Sequence, residues 1–226
     1  MDTPAHVRRQ IDARWMGQVR YRDALALQRR LRTELSPERV ELLLLEHPPV
    51  FTVGRNSNAL DRAVAAESAA RLGADLEETD RGGQVTWHGP GQLVAWPVLD
   101  LSPDRRDVRR YVRDLQRVVV LALADLGLEA EGRVAPEIGV WVGERKVCSI
   151  GVHLSRWRTN HGLALNLTND LDSFRTIVAC GMPGEVVASV AAVGGPTRSP
   201  HEVAPLLARR FAEVFDGELH WSEAAS

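Results

Sequence analysis

Between Arg81 and Leu101 the chain reads RGGQVTWHGPGQLVAWPVLDL, with five glycines and prolines inside eleven residues followed by an apolar run. Gly82 and Gly83 permit positive φ and let backbone N–H groups approach a ligand closely. His88-Gly89-Pro90-Gly91 is a stiff turn that presents an imidazole. No GK[ST] follows and there is no GxGxxG, so this is neither of the common phosphate loops. A long hairpin would explain the turn residues alone. Arg81, Thr86, His88 and Gln92 add more polar chemistry than a hairpin needs, which points to a site.

Around that segment the pattern is mixed. The spacing predicts strands over 11–16, 41–46, 50–54, 139–142, 146–154 and 162–167, with 41–46 and 50–54 read as a pair split by His47-Pro48-Pro49. Helices are expected over Tyr21–Leu35, over 61–74 as a small Ala-rich surface helix, over Val108–Leu126 closed by Gly127, and over His201–Phe215. Strands outnumber helices and do not alternate with them, which favours α+β over a doubly wound sheet. With 226 residues and 44% hydrophobic content the chain can bury one good core, and a single domain over 1–226 with a frayed tail at 217–226 is expected. The net charge of −2 argues against a nucleic-acid binder. The polar start and the short apolar stretch Val118–Ala124 give no sign of export or of a membrane span. The two cysteines, Cys148 and Cys180, have no zinc spacing, and free thiols in a reducing cytoplasm fit best. No coiled-coil or edge-pairing signal appears, so a monomer is the default.

Of the 28 basic residues, 27 are Arg and one is Lys146. An ammonium can be tuned by its surroundings and can pass a proton, whereas Arg cannot. A lone lysine is also what a lysine-poor composition leaves behind. Strand alternation puts Lys146 and Cys148 on one face, so either thiol could serve as a nucleophile. Cys180 lies in ACGMPGE, where backbone N–H groups can aim at an oxyanion; Cys148, in an apolar strand, reads as a small core residue. His153 and His161 read as structural histidines, Asn166 as closing a turn or ladder, and Asp170 and Asp172 as turn and cap residues. His47-Pro48-Pro49 reads as a strand break, with a position near the expected pocket rim that leaves a role open. Arg105, Arg106, Arg109, Arg110, Arg113 and Arg117 cluster along one helix and its approach. Such a cluster suits a solvated face with Asp107 and Asp114 as partners, or a steering surface for acidic partners.

RGGQVTWHGPGQ, KVCSIGV with its lysine, HGLALN and the Cys180 loop ending in VVASV stand in the order seen in lipoyl(octanoyl) transferases, and the resemblance runs from about Trp15 to Phe215. It implies the α+β fold of biotin and lipoate protein ligases, a single domain with a central mixed sheet flanked by helices. It implies a cytoplasmic acyltransferase, without cofactor or metal. The donor would be octanoyl-acyl carrier protein, and the acceptors lipoyl domains of 2-oxoacid dehydrogenase complexes and the glycine cleavage H protein. By the same resemblance Cys180 is the acyl-thioester nucleophile and Lys146 lowers its pKa. Arg81, Gly82, Gly83, Gln84, Val85, Thr86, Trp87 and His88 then line the acyl pocket with Ser149, Ile150, Gly151, Gly162, Leu163 and Ala164. Trp96 departs from the pattern, standing where the family has Tyr. The rival readings are an ATP-dependent ligase of this fold, a cysteine hydrolase using Cys180 with His88 or His161, and a non-catalytic acyl-binding protein.

Overall fold

A computed structural model describes residues 9–177 and 186–224. The elements, in chain order, are β1 (Arg9–Gln18), α1 (Tyr21–Glu34), β2 (Arg39–Glu46), β3 (Val50–Val53), α2 (Ala59–Leu72), β4 (Asp75–Glu78), β5 (Val85–His88), β6 (Gln92–Val98), α3 (Val108–Asp125), β7 (Glu131–Arg133), β8 (Gly139–Val142), β9 (Arg145–Ser155), β10 (Arg158–Asn166), α4 (Asp172–Arg175), α5 (Pro200–Phe215) and β11 (Gly217–Glu223). The main sheet has eight strands in the order β11-β1-β2-β6-β10-β9-β8-β7, and a second has three, β4-β3-β5. β1 runs parallel to both β11 and β2, whereas the ladders from β2 to β6 and on through β10 and β9 are antiparallel, so the main sheet is mixed.

Alternation along the strands sorts the core. Leu42, Leu44, Leu93, Ala95, Leu163 and Leu165 face α3 and α5, whose Leu115, Val118, Val119, Leu207 and Phe211 cover them. Leu43, Leu45, Val94, Trp96 and Ala164 face α1 through Tyr21, Ala24 and Leu25. At two of the helix heads side chains accept the first N–H groups: Asp107 accepts from Arg110 N–H at the head of α3, and Ser199 and Glu202 form a reciprocal cap on α5.

Two sequence expectations need correction. β2 and β3 do not pair with each other: β3 leaves the main sheet for the small one, and the turn Gly89–Gly91 carries the chain back from β5 to β6. The 81–101 segment is therefore a crossing between sheets and not one hairpin. The tail after Gly217 is not frayed: seven residues, Gly217–Glu223, pair with β1 from Arg9 to Trp15. Its alternating polar face reads as loose chain in sequence, but an edge strand needs only one covered face. A Cβ at Gly217 would fall 2.4 Å from the Ile11 side chain, so glycine permits that close pairing.

Candidate active site

β9 and β10 pair Ser149 with Ala164 and Gly151 with Gly162. Partners across an antiparallel ladder share a face, so small side chains floor a trough on the side turned toward β5. The segment 81–84 roofs it. Gly82 N–H donates to Val152 O at 3.1 Å, and a Cβ at Gly151 would meet Gly82 O at 3.2 Å. The cavity is about 480 Å³. Its walls include Arg81, Gly82, Gly83, Gln84, Thr86, His88, Lys146, Ser149, Ile150, Gly151, Gly162, Leu163 and Ala164. Val85 and Trp87 are not among them. They alternate to the other face of β5 and pack with Phe51, Phe174, Ile177 and Val187.

Lys146 does not share a face with Cys148. Val140 pairs with Cys148 but Trp141 pairs with Lys146, so β9 carries one extra residue, Val147. This bulge turns Lys146 to the trough side while Val147 and Cys148 stay in the core. The Lys146 stem lies over Gly139, where a Cβ would come within 2.5 Å of Cε. Burial pushes the Cys148 thiol up to about 12, against the pull of the Lys146 charge, so this thiol is protonated at neutral pH. Cys180 lies outside the described residues. The chain reaches Ile177 and resumes at 186 in the same apolar cluster, with Val187 bridged to Lys146 and Ala188 N–H donating to Lys146 O at 2.9 Å.

The polar groups of the roof are tied down in sequence. Arg81 is buried and donates to Thr52 O at 2.7 Å and to Thr52 Oγ1 at 2.8 Å. His88 Nδ1–H donates to Gln92 Oε1 at 2.7 Å, and Gln92 Nε2 donates to Asn166 Oδ1 at 2.8 Å. Asn166 donates in turn to Ala188 O at 3.0 Å, linking the His88 turn to the chain that passes Lys146.

Sequence reasoning missed a second set. Tyr21, Trp96 and His161 line the buried end of the cavity beside His88, with His47 packed behind. His161 Nε2 lies 2.7 Å from Asp80 Oδ1, and its Nδ1 lies 3.3 Å from Tyr21 Oη. Burial lowers His161 to about 4, more than the Asp80 contact raises it. It is neutral at pH 7, donating to Asp80 and accepting from Tyr21. Burial would raise the Asp80 carboxyl, but the hydrogen bond and charge of His161 carry it below its ordinary value. His47 is lowered to about 4 by burial, and His88 well below its ordinary value, by burial first and by His47 second. Among the described residues no cluster of three or more His, Cys, Asp or Glu is placed to hold a metal ion.

The lipoyl protein ligase A/B catalytic domain family matches residues 20–212. The octanoyltransferase of Solibacter usitatus is 46% identical over 208 residues, covering 91% of this chain and 93% of its own. The chain belongs to the octanoyltransferase family. Lipoate-protein ligase A bound with ATP superposes at a TM-score of 0.82 and 19% identity, over 96% of this chain and 90% of that one. Biotin protein ligase from Aquifex aeolicus in complex with biotin and ATP gives 0.55 at 16% identity, over 90% and 70%. Those likenesses bear on fold, and they agree with the expected α+β domain around a mixed sheet. As an octanoyltransferase the chain is an acyltransferase, and a mainly apolar trough with a buried lysine in its wall suits that class. No described helix is long and apolar enough to cross a membrane.

Proposed function

We propose that the octanoyl group passes through Cys180 as a thioester, with Lys146 as the charge and proton partner of both half-reactions. The Cys180 thiolate attacks the carbonyl of octanoyl-acyl carrier protein, the carrier leaves as its thiolate and takes the proton of the Lys146 ammonium, and the acyl group rests on Cys180. The neutral amine of a lipoyl-domain lysine then attacks; the amide forms, the Cys180 thiolate leaves, and the amine proton goes to Lys146 or water. A thioester donor is already activated, so the route needs no nucleotide.

The observation that carries this reading is the bulge at Val147. It aims Lys146 into the trough, and the chain that contains Cys180 rejoins the described structure against Lys146 itself. An ammonium there favours a neighbouring thiolate by charge, while Cys148 sits protonated in the core. Cytoplasmic location and the particular lipoyl-bearing targets extend the same reading.

The test is intact mass after mixing with octanoyl-acyl carrier protein and no ATP, for the parent chain, Cys180→Ala and Cys148→Ala. A hydroxylamine-labile octanoyl adduct lost only in Cys180→Ala is expected. Adduct formation that requires ATP would replace this reading with the ligase of the same fold. Adduct that turns over to free octanoate with a lipoyl domain present would replace it with a hydrolase.

A further inference from the structure

The cavity has an open and a closed end. Val108 and Ile138 at one end are 42% and 37% exposed, and Lys146, itself 3% exposed, lies beneath them beside Gly139. At the other, Tyr21, Trp96 and His161 are each 3% exposed or less. We propose that the ring wall at the closed end, with Trp96 at its base, is the stop that sets how long an acyl chain this protein accepts. The inference rests on the acyl-transfer reading for its substrate class, and the wall itself is a matter of geometry.

Register gives the direction. From Lys146 the floor runs through the Ser149–Ala164 pair to the Gly151–Gly162 pair, and β6 brings Trp96 beside Gly162, since Ala95 pairs with Leu163. A chain whose reacting carbon lies near Lys146 therefore points its methyl end at the indole. The rings touch one another: Trp96 meets Tyr21 edge-on at 5.2 Å and His161 edge-on at 5.8 Å, and Tyr21 stacks on His88 at 5.9 Å. The polar atoms of the other three rings are engaged, Tyr21 with His161, His161 with Asp80, His88 with Gln92. A methyl group arriving there need not break those bonds.

One ring of the wall is also braced from α1. His161 is a non-glycine residue at φ 58°, a conformation that side chains disfavour. Gln28 of α1 holds it there with both ends of one amide: Oε1 accepts from His161 N–H at 2.9 Å, and Nε2 donates to His161 O at 3.3 Å. Local strain is accepted where a ring must stand in one place.

The test is calorimetric titration with hexanoate, octanoate, decanoate and dodecanoate of the parent chain, Trp96→Leu and Ala164→Val, beside octanoyl transfer by each. Every methylene that finds room is worth about fourfold in affinity. Trp96→Leu should move the optimum to longer acids, with decanoate gaining roughly tenfold on octanoate. Ala164→Val, which narrows the floor, should move it to shorter ones and keeps the question answerable if the Trp96 variant does not fold. One unchanged chain-length order in all folded forms, or no fatty acid bound by any, overturns the stop. A shifted order in a protein that transfers no octanoyl group would leave the stop standing and sink the transfer reading.

Discussion

The two halves of the eight-stranded sheet are built from the same alternation to opposite ends. In β2, Leu42, Leu43, Leu44 and Leu45 are 1% exposed or less, so large aliphatics fill both faces and the strand reads as an apolar run. In β9 and β10 the face toward β5 carries Ser149, Gly151, Gly162 and Ala164, and the space they leave is the cavity. Side-chain size at equivalent sheet positions, more than backbone course, decides which half packs solid and which half leaves a cavity.

Exchanging the readouts of the two halves would break that comparison. The largest effect is expected at Lys146. Lys146→Ala should lower octanoyl transfer on the order of 10²- to 10⁴-fold, the range for a proton-transfer group, with far less change in melting temperature. Steady-state kinetics beside thermal denaturation measures both. In the packed half, Leu44→Ala should cost about 3 kcal/mol of stability by denaturant titration, through lost burial and a residual void. The folded fraction should keep its kcat. A Leu44 variant that loses turnover without stability would show the halves to be coupled.

The third effect lies in the ring wall. His47 and His161 are held near 4 and His88 is lowered, all chiefly by burial, so the unfolded chain binds more protons than the folded one between about pH 4 and pH 6.5. Stability is then fully present above pH 6.5 and is lost as pH falls toward 4, by up to about 1.4 kcal/mol per pH unit for each proton taken up. His47→Phe should flatten that slope by one proton's share. Melting temperatures of both forms across pH 4–7 give the result, and parallel curves would remove His47 from the account.

What was legible in the sequence follows from the range of the interactions. The strands β1, β2, β8, β9 and β10 and the four long helices show as local periodicity. The glycine-rich roof and the small-residue floor show as composition. β4, β7 and β11 escape because short or edge strands with polar faces carry no apolar signal. Lys146 was placed on the face of Cys148 because strict alternation hides an extra residue, and a bulge appears only when the partner strand is known. The same alternation, applied to β5, would have sent Val85 and Trp87 away from the cavity. The ring wall is out of reach of any local rule, since Tyr21 and His161 stand 140 residues apart in sequence. His161 read as a structural histidine; its positive φ and its link to Asp80 are visible only in three dimensions.

The smallest effect separates the cavity from the surface around its open end. Val108 and Val112 of α3 reach the cavity, and Arg109 and Arg113 follow them one position on, both exposed. Not all of the arginine cluster is surface: Arg105 is buried and bonds Asp114 at 2.8 Å, and Arg110 lies 3.9 Å from the same carboxylate. Arg109 and Arg113 would thus meet an acidic carrier domain presenting its acyl group to the rim. Exposed charges act mainly on encounter, and each is worth at most about 1 kcal/mol. Arg109→Glu with Arg113→Glu should raise KM for octanoyl-acyl carrier protein roughly three- to tenfold, with a weaker dependence on salt, and leave kcat alone. Turnover of octanoyl-N-acetylcysteamine, which has no carrier to steer, should not change. An equal loss with both donors would mean that the arginines shape the cavity rim, and the division between chemistry inside and recognition outside would fall.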